Sequence, residues 1–123
     1  MKVIIKKIKR DSYDNERVLM EVIEDCNLSH YLLFVKTYEE NGIETNKLRH
    51  LYILDSIDVH KGDFVSLYTR QKNEGDDYSF KNKKGTTTFQ CFWGLKESIW
   101  NNEGDTAYLV HYDDWMKKND ISD

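Results

Sequence analysis

The sequence contains no proline, and it has only six glycines among its 123 residues. Without proline, the breaks between secondary-structure elements depend on glycine, asparagine and aspartate, which tolerate the backbone conformations of tight turns. These residues cluster at 11–16, 39–46, 73–77, 82–85 and 101–105. Short segments rich in Val, Ile, Leu, Phe, Tyr and Thr lie between the clusters. This spacing predicts an all-β sandwich or barrel.

Long apolar runs are also missing from the sequence. No segment approaches the roughly 18 consecutive apolar residues that a membrane span requires. The N-terminal segment MKVIIKKIKR interleaves lysines with its isoleucines, which is unlike a secretory signal. We therefore expect no membrane contact and a cytoplasmic location. Because the chain has the usual size of one domain and shows no repeat or linker, we predict a single domain over residues 1–123.

Cysteine is scarce, and the two that occur, Cys26 and Cys91, do not form the CxxC pair typical of zinc and redox sites. Two interpretations remain open for them. They are free thiols in a reducing compartment, or they face each other across a sandwich and form a disulfide between its sheets.

Recognisable catalytic and metal-binding motifs are absent from the sequence. No two of its four histidines have the spacing that brings two imidazoles from one element onto one metal. The paired acids at 76–77 and 113–114 lie in polar segments, whereas catalytic carboxylates need surroundings that separate their pKa values. There is no glycine-rich phosphate loop and no nucleophile or zinc-protease motif. We therefore predict a protein that is not an enzyme and that holds no cofactor or metal.

The apolar segments predict individual strands. Val3–Lys9 is predicted to be an edge strand, since lysines protect an edge from pairing with other chains, and an apolar phase that changes between Ile5 and Ile8 predicts a bulge. Residues 17–24 fit a helical stripe as well as an alternating pattern, and their β-branched residues favour a strand. The nearly continuous apolar segment 31–38 is typical of a strand that is covered on both faces or lies at an interface.

Five further extended segments are predicted, at residues 48–54, 63–69, 86–93, 98–100 and 106–112. Alternation gives a strand one core face and one solvent face. It places Val65 and Leu67 on one face of their strand, and Phe89, Cys91 and Trp93 on one face of theirs. Residues 113–118 either form one helical turn or fray.

Three segments of the chain resemble the lamin tail domain. Residues 94–109 contain an aromatic residue followed by asparagine, a glycine–aspartate turn and a strand that starts with Thr-Ala. Residues 27–31 resemble the short turn that leads into an aromatic strand, with Asn27 where aspartate is commoner and Tyr31 where tryptophan is commoner. Residues 58–69 resemble the apolar strand that follows a turn-forming glycine. The charged loop 71–84 and the first quarter of the chain depart from the family. The resemblance implies an immunoglobulin-like antiparallel β-sandwich.

The resemblance also implies a domain that contacts proteins or nucleic acids. The leading prediction is a non-catalytic interaction module that binds a protein partner through a strand edge or an aromatic face, because sandwich edges lend themselves to strand addition. The predicted contact residues are Tyr31, Phe34 and Tyr38. Packing in the core would explain these three aromatic residues equally well.

The alternative prediction is nucleic-acid binding through two groups of lysines, if the fold brings the groups together. The first group is Lys6, Lys7 and Lys9 in the N-terminal strand, and the second is Lys81, Lys83 and Lys84 in the charged loop. The net charge of −4 and the acidic residues near the loop weaken this prediction. A solvated strand and a solvated loop would explain the same lysines.

Overall fold

A computed structural model of the protein describes residues 1–36, 49–100 and 105–118. This part of the chain is all-β, as predicted, and contains ten strands and no helix. The strands are β1 Val3–Lys9, β2 Arg17–Val22, β3 Cys26–Asn27, β4 Tyr31–Lys36, β5 Arg49–Ile53, β6 Asp58–Val59, β7 Phe64–Tyr68, β8 Ser79–Lys81, β9 Thr87–Phe92 and β10 Thr106–His111. In the same residues, no helix is long and apolar enough to cross a membrane.

The strands form a large sheet, a small sheet and a short ribbon. The large sheet has five strands in the order β1-β2-β7-β9-β8, the small sheet has three in the order β10-β4-β5, and β3 pairs with β6. Strands β7 and β9 pair in parallel, whereas the other neighbours pair antiparallel. A purely antiparallel sandwich is therefore not formed. The parallel pair arises because β8 and β9 form a hairpin whose second strand inserts between β7 and β8.

The first two strands follow their sequence pattern closely. Strand β1 lies at an edge of the large sheet, and its register with β2 shifts between Ile5 and Lys7. The predicted edge position and the predicted bulge are thus confirmed. In β2, Val18, Met20 and Val22 are all buried, which shows that alternation and not the helical stripe determines this segment.

Side chains from both sheets meet in one hydrophobic core. The large sheet contributes Met20, Val65 and Leu67, and the small sheet contributes Leu33 and Val35. Two sheets packed around a shared core make the architecture sandwich-like. The finer prediction of immunoglobulin-like topology stays a prediction.

Two buried carboxylates attach loops to this core. The side chain of Asp63 accepts hydrogen bonds from the backbone N–H groups of His60 and Thr87, at 2.8 and 2.9 Å. It thereby joins the turn before β7 to the start of β9. The side chain of Glu16 accepts a bond of 2.9 Å from the N–H of Ile99. Residues 98–100, predicted to be extended, form no strand here, and Ile99 instead packs against the core.

Two open questions from the sequence are also answered by the structure. Residues 113–118 form no helical turn. Cys26 and Cys91 are both free thiols, so the disulfide interpretation is not supported.

Candidate functional site

The two groups of lysines lie at opposite edges of the large sheet. Lys6, Lys7 and Lys9 belong to β1, whereas Lys81 belongs to β8. Strands β2, β7 and β9 lie between these two strands. At about 4.8 Å per neighbouring pair, the two edges are roughly 19 Å apart. Lys83 and Lys84 are exposed in the hairpin that follows β8, so the two groups do not combine into one phosphate-binding patch.

The three predicted aromatic contact residues do not share one environment. Tyr31 is only 1% exposed, its hydroxyl oxygen accepts a 3.4 Å hydrogen bond from the N–H of Lys2, and its ring packs against His111. It belongs to the core, which is the interpretation that the sequence left open beside partner contact. Phe34 is partly exposed on β4 and stacks on Tyr108. Tyr38 lies outside the residues that the structure describes.

Phe34 belongs to an apolar outer face of the small sheet. The strand register aligns Leu51, Phe34 and Tyr108 in one row, and it aligns Ile53, Leu32 and Val110 in a second row. Leu51 and Ile53 are exposed at the β5 edge of this face. The structure therefore retains one of the predicted aromatic residues on a surface where a partner could reach it.

A cleft of about 550 Å³ lies between β5 of the small sheet and the β8–β9 edge of the large sheet. Most of its wall is aromatic or apolar, and it includes Tyr52, Tyr78, Phe89, Gln90, Cys91 and Phe92. Concave sites with apolar walls and a few polar groups are the usual places where proteins bind ligands. This cleft is the strongest candidate site in the described part of the chain.

The cleft follows the edge of β9. Phe89 and Cys91 point to the core side of the sheet, whereas Gln90 and Phe92 point to the other side. Side chains from both sides of one strand can line the same cleft only where that strand's edge is open. Strand β8 covers this edge only in part, since its first residue, Ser79, pairs with Phe89 and the N–H of Gln90 donates to the carbonyl of Tyr78.

Beyond Gln90, the backbone of β9 loses its neighbour on that side. The N–H of Trp93 donates to the carbonyl of Tyr68 in β7 at 2.8 Å. Because backbone groups alternate in direction along a strand, the N–H and C=O of Phe92 face away from β7, towards the side that β8 has already left. Among the described residues no backbone group pairs with them, so Phe92 presents a free N–H and C=O at the cleft within this part of the chain.

A hydrogen-bonded turn precedes β8. The carboxylate of Asp76 accepts hydrogen bonds from the guanidinium of Arg70 at 2.7 Å and from the N–H of Asn73 at 2.8 Å. Gly75, inside the turn, has a φ of +91°, a conformation that favours glycine. These contacts fix how the chain enters β8.

The polar groups of the cleft are mostly neutral. Burial raises the pKa of the Tyr52 hydroxyl and the pKa of the Cys91 thiol, so both groups keep their protons at neutral pH and neither is an activated nucleophile. Trp93 packs edge-on against Tyr52 with ring centroids 5.8 Å apart, which fixes that wall. Lys72 places its ammonium 4.9 Å from the centre of the Tyr78 ring. This arrangement suits binding better than bond-breaking chemistry.

The structure assembles this site from residues that the sequence did not single out together. The contact residues predicted from the sequence include neither Tyr52 nor Tyr78. Within residues 1–36, 49–100 and 105–118, no three His, Cys, Asp or Glu side chains gather to hold a metal ion. No family model, curated protein or solved structure matches the chain. Its function must therefore be argued from the geometry of its surfaces.

Proposed function

We propose that this protein is a non-catalytic interaction module that binds an extended segment of a partner protein in the cleft between β5 and β9. The observation that carries this proposal is the edge of β9 at Phe92, which no strand of the described residues covers and which opens into a mainly aromatic cleft. In strand addition, main-chain hydrogen bonds supply affinity and neighbouring pockets supply selectivity for side chains. The cleft offers both elements side by side.

The open edge favours a peptide over a compact small molecule. A peptide strand carries alternating N–H and C=O groups, and these match the groups that Phe92 presents. The cleft wall would then take an aromatic or aliphatic side chain of the same peptide, packed between Tyr52 and Phe89. Among the described residues, Lys72 and Asp55 are the only charged groups that line the cleft. A bound peptide would therefore be favoured if it placed an acidic or polar residue near Lys72 and a basic or polar residue near Asp55.

Two further arguments support a protein partner. The separation of the two lysine groups leaves the nucleic-acid alternative without the combined patch on which it depended. The resemblance to lamin tail domains, which remains a prediction, points to the same class of function. The proposed module is cytoplasmic, in keeping with the composition of the chain.

The test is a selection from a library of random peptides, followed by chemical-shift mapping of a selected peptide on the isotope-labelled protein. We expect the largest changes at the backbone amide of Phe92 and at residues of the cleft wall. Replacing Tyr78 by Ser should weaken binding, and its ring is 70% exposed, so the fold should tolerate the change. Phe80→Ser is the matched control, because Phe80 is also aromatic and exposed but does not line the cleft.

Two outcomes would overturn the site. Shifts concentrated on Leu51 and Ile53 would place the partner on the apolar face that holds Phe34. Equal losses of affinity in the Tyr78 and Phe80 variants would show that binding does not depend on the cleft. A failure to select any peptide would reject the proposed function itself.

A further inference from the structure

The outer face of the large sheet carries a row of four residues that crosses four strands. The register pairs Lys9 with Arg17, Arg17 with Tyr68, and Tyr68 with Phe92. Directly paired residues project from the same face of a sheet. Two cationic side chains and two aromatic rings therefore stand next to each other, and we call these four residues the basic–aromatic row.

The aromatic half of the row is held in a fixed arrangement. The rings of Tyr68 and Phe92 are nearly parallel, at 12°, with centroids 5.5 Å apart. The guanidinium of Arg70 lies 4.8 Å from the centre of the Tyr68 ring and 5.2 Å from that of Phe92. Arg70 is itself fixed by Asp76 and by the backbone carbonyl of Asp14. Rings that are already ordered lose little freedom when a ligand stacks on them.

The cationic half of the row is held in place without a carboxylate partner among the described residues, and the Arg17 guanidinium donates a 2.8 Å hydrogen bond to the backbone carbonyl of Asn15. Arg17 lies over Tyr68, with its guanidinium carbon 5.3 Å from the ring centre. Lys7 pairs with Leu19 and so projects from the same face as Lys9. Throughout the part of the chain that the structure describes, no carboxylate forms an ion pair with Lys7, Lys9 or Arg17, whereas Lys6 is paired with Glu21 at 3.4 Å.

These cations stand out because the protein as a whole is acidic. The net charge is −4, so a polyanion is repelled by much of the surface and attracted where unpaired cations cluster. Local fields of this kind orient charged ligands as they approach. The aromatic rings beside the cations then decide which polyanion fits, because stacking on a ring requires a planar partner.

We propose that the basic–aromatic row binds single-stranded nucleic acid, with phosphates at Lys7, Lys9 and Arg17 and a base that extends the Tyr68–Phe92 stack on the side of Phe92 turned away from Tyr68. Cationic grooves combined with aromatic platforms are the usual means of holding single strands without sequence preference. This site shares Phe92 with the cleft but otherwise uses residues of β1, β2 and β7 that do not line it. It keeps two lysines of the earlier nucleic-acid prediction but replaces the loop lysines with residues that the strand order brings together.

The charge requirement is tested with a fluorescent oligothymidine of about 12 nucleotides, titrated by anisotropy at several salt concentrations. We expect affinity to fall linearly with the logarithm of salt concentration. The double variant Lys9→Glu/Arg17→Glu should lower the affinity by about tenfold or more and reduce the salt slope by about two. The matched control is Lys81→Glu/Lys84→Glu, which makes the same charge change at the opposite edge and should have a much smaller effect.

The stacking requirement is tested with Tyr68→Leu and, separately, Phe92→Leu, each checked for folding by circular dichroism. Either change should weaken oligothymidine binding about fivefold or more, and neither should alter binding of inorganic polyphosphate, which has no bases. Both variants retain an apolar side chain, so a loss confined to the oligonucleotide reports stacking and not a collapsed sheet.

Four results would overturn the proposal. The first is that oligothymidine does not bind at about 50 mM salt, and the second is that both charge-reversal variants lose the same affinity for it. The third is that polyphosphate binds as tightly as the oligonucleotide, and the fourth is that vesicles of anionic lipid bind more tightly than either. The charge-reversal and Tyr68 variants distinguish this proposal from the peptide site, because Lys9, Arg17 and Tyr68 do not line the cleft, whereas Phe92 belongs to both sites.

Discussion

The carboxylate of Glu16 accepts a hydrogen bond from the backbone N–H of Ile99, with 2.9 Å between Oε1 and the nitrogen. Glu16 is only 1% exposed, and Trp100, the neighbour of Ile99, is buried as well. The contact therefore attaches the segment before β10 to the loop that precedes β2. The same contact explains why residues 98–100, which were predicted to be extended, pack against the core and do not join a sheet.

Replacing Glu16 by Ala should destabilise the protein by about 1–3 kcal/mol, because the N–H of Ile99 would be left buried without an acceptor. Glu16→Gln keeps an acceptor oxygen of the same reach and should lose less. Chemical denaturation followed by tryptophan fluorescence measures both values. If Glu16→Ala and Glu16→Gln had the same free energy of unfolding, the hydrogen bond to Ile99 would not contribute to the stability of the protein.

Gly62 and Gly75 offer a matched pair for a second prediction. Both have a positive φ, at +94° and +91°, but a Cβ on Gly62 would lie 3.1 Å from Cγ2 of Thr86, whereas one on Gly75 would meet open space. Gly62→Ala and Gly75→Ala should both destabilise the fold through backbone strain, and Gly62→Ala should lose more stability. Equal losses in thermal unfolding would show that the Thr86 contact relaxes freely.

Local patterns in the sequence predicted the parts of the fold that depend on one strand at a time. The alternation of Val18, Met20 and Val22 predicted a strand with a buried face, and the phase change after Ile5 predicted a bulge. These features follow from which face of a strand meets the core, and the residues themselves encode that choice.

The strand order could not be predicted in the same way. Strand β8, Ser79–Lys81, is exposed throughout and lies in a charged segment, so nothing in its composition marks it as extended. It is a strand because it pairs with β9, and the point where it ends creates the open edge at Phe92. The separation of the lysine groups follows from the same strand order, and the alignment of Arg17 with Tyr68 follows from the equally long-range pairing of β2 with β7.

The ion pair between Arg70 and Asp76 predicts a local dependence on pH. The hydrogen bond from the Arg70 guanidinium, together with that from the N–H of Asn73, lowers the pKa of the Asp76 carboxyl. A carboxyl whose pKa is lower when folded stabilises the fold above its ordinary pKa, near 4, and this contribution disappears as the pH falls through the lowered pKa. Acidification should therefore loosen the turn that precedes β8.

Carbon-13 NMR titration of the Asp76 carboxyl measures this effect directly. In Arg70→Met, which keeps an unbranched side chain but removes the guanidinium, the pKa of Asp76 should rise towards its ordinary value. Asp77, the exposed neighbour, is the control within the same chain. An unchanged Asp76 titration in the Arg70 variant would contradict the assignment of Arg70 as the main cause.

The two cysteines provide a chemical probe of the cleft. Burial raises the pKa of both thiols, but Cys91 is only 6% exposed and Cys26 is partly exposed on the short β3–β6 ribbon. Since the thiolate is the species that reacts with iodoacetamide, Cys26 should be alkylated first in the native protein, and Cys91 should react at a comparable rate only after unfolding. Mass spectrometry of timed samples distinguishes the two sites.

A peptide bound in the cleft should slow the alkylation of Cys91 further, because Cys91 lines the cleft wall. It should leave the rate at Cys26 unchanged, so that Cys26 serves as the internal control. Equal protection of both thiols would indicate that the peptide stabilises the whole fold without covering the cleft. Rapid alkylation of Cys91 in the native protein would mean that the cleft wall between Tyr52 and Cys91 opens to solvent. A peptide that binds there would then have to fix these side chains in place as it binds.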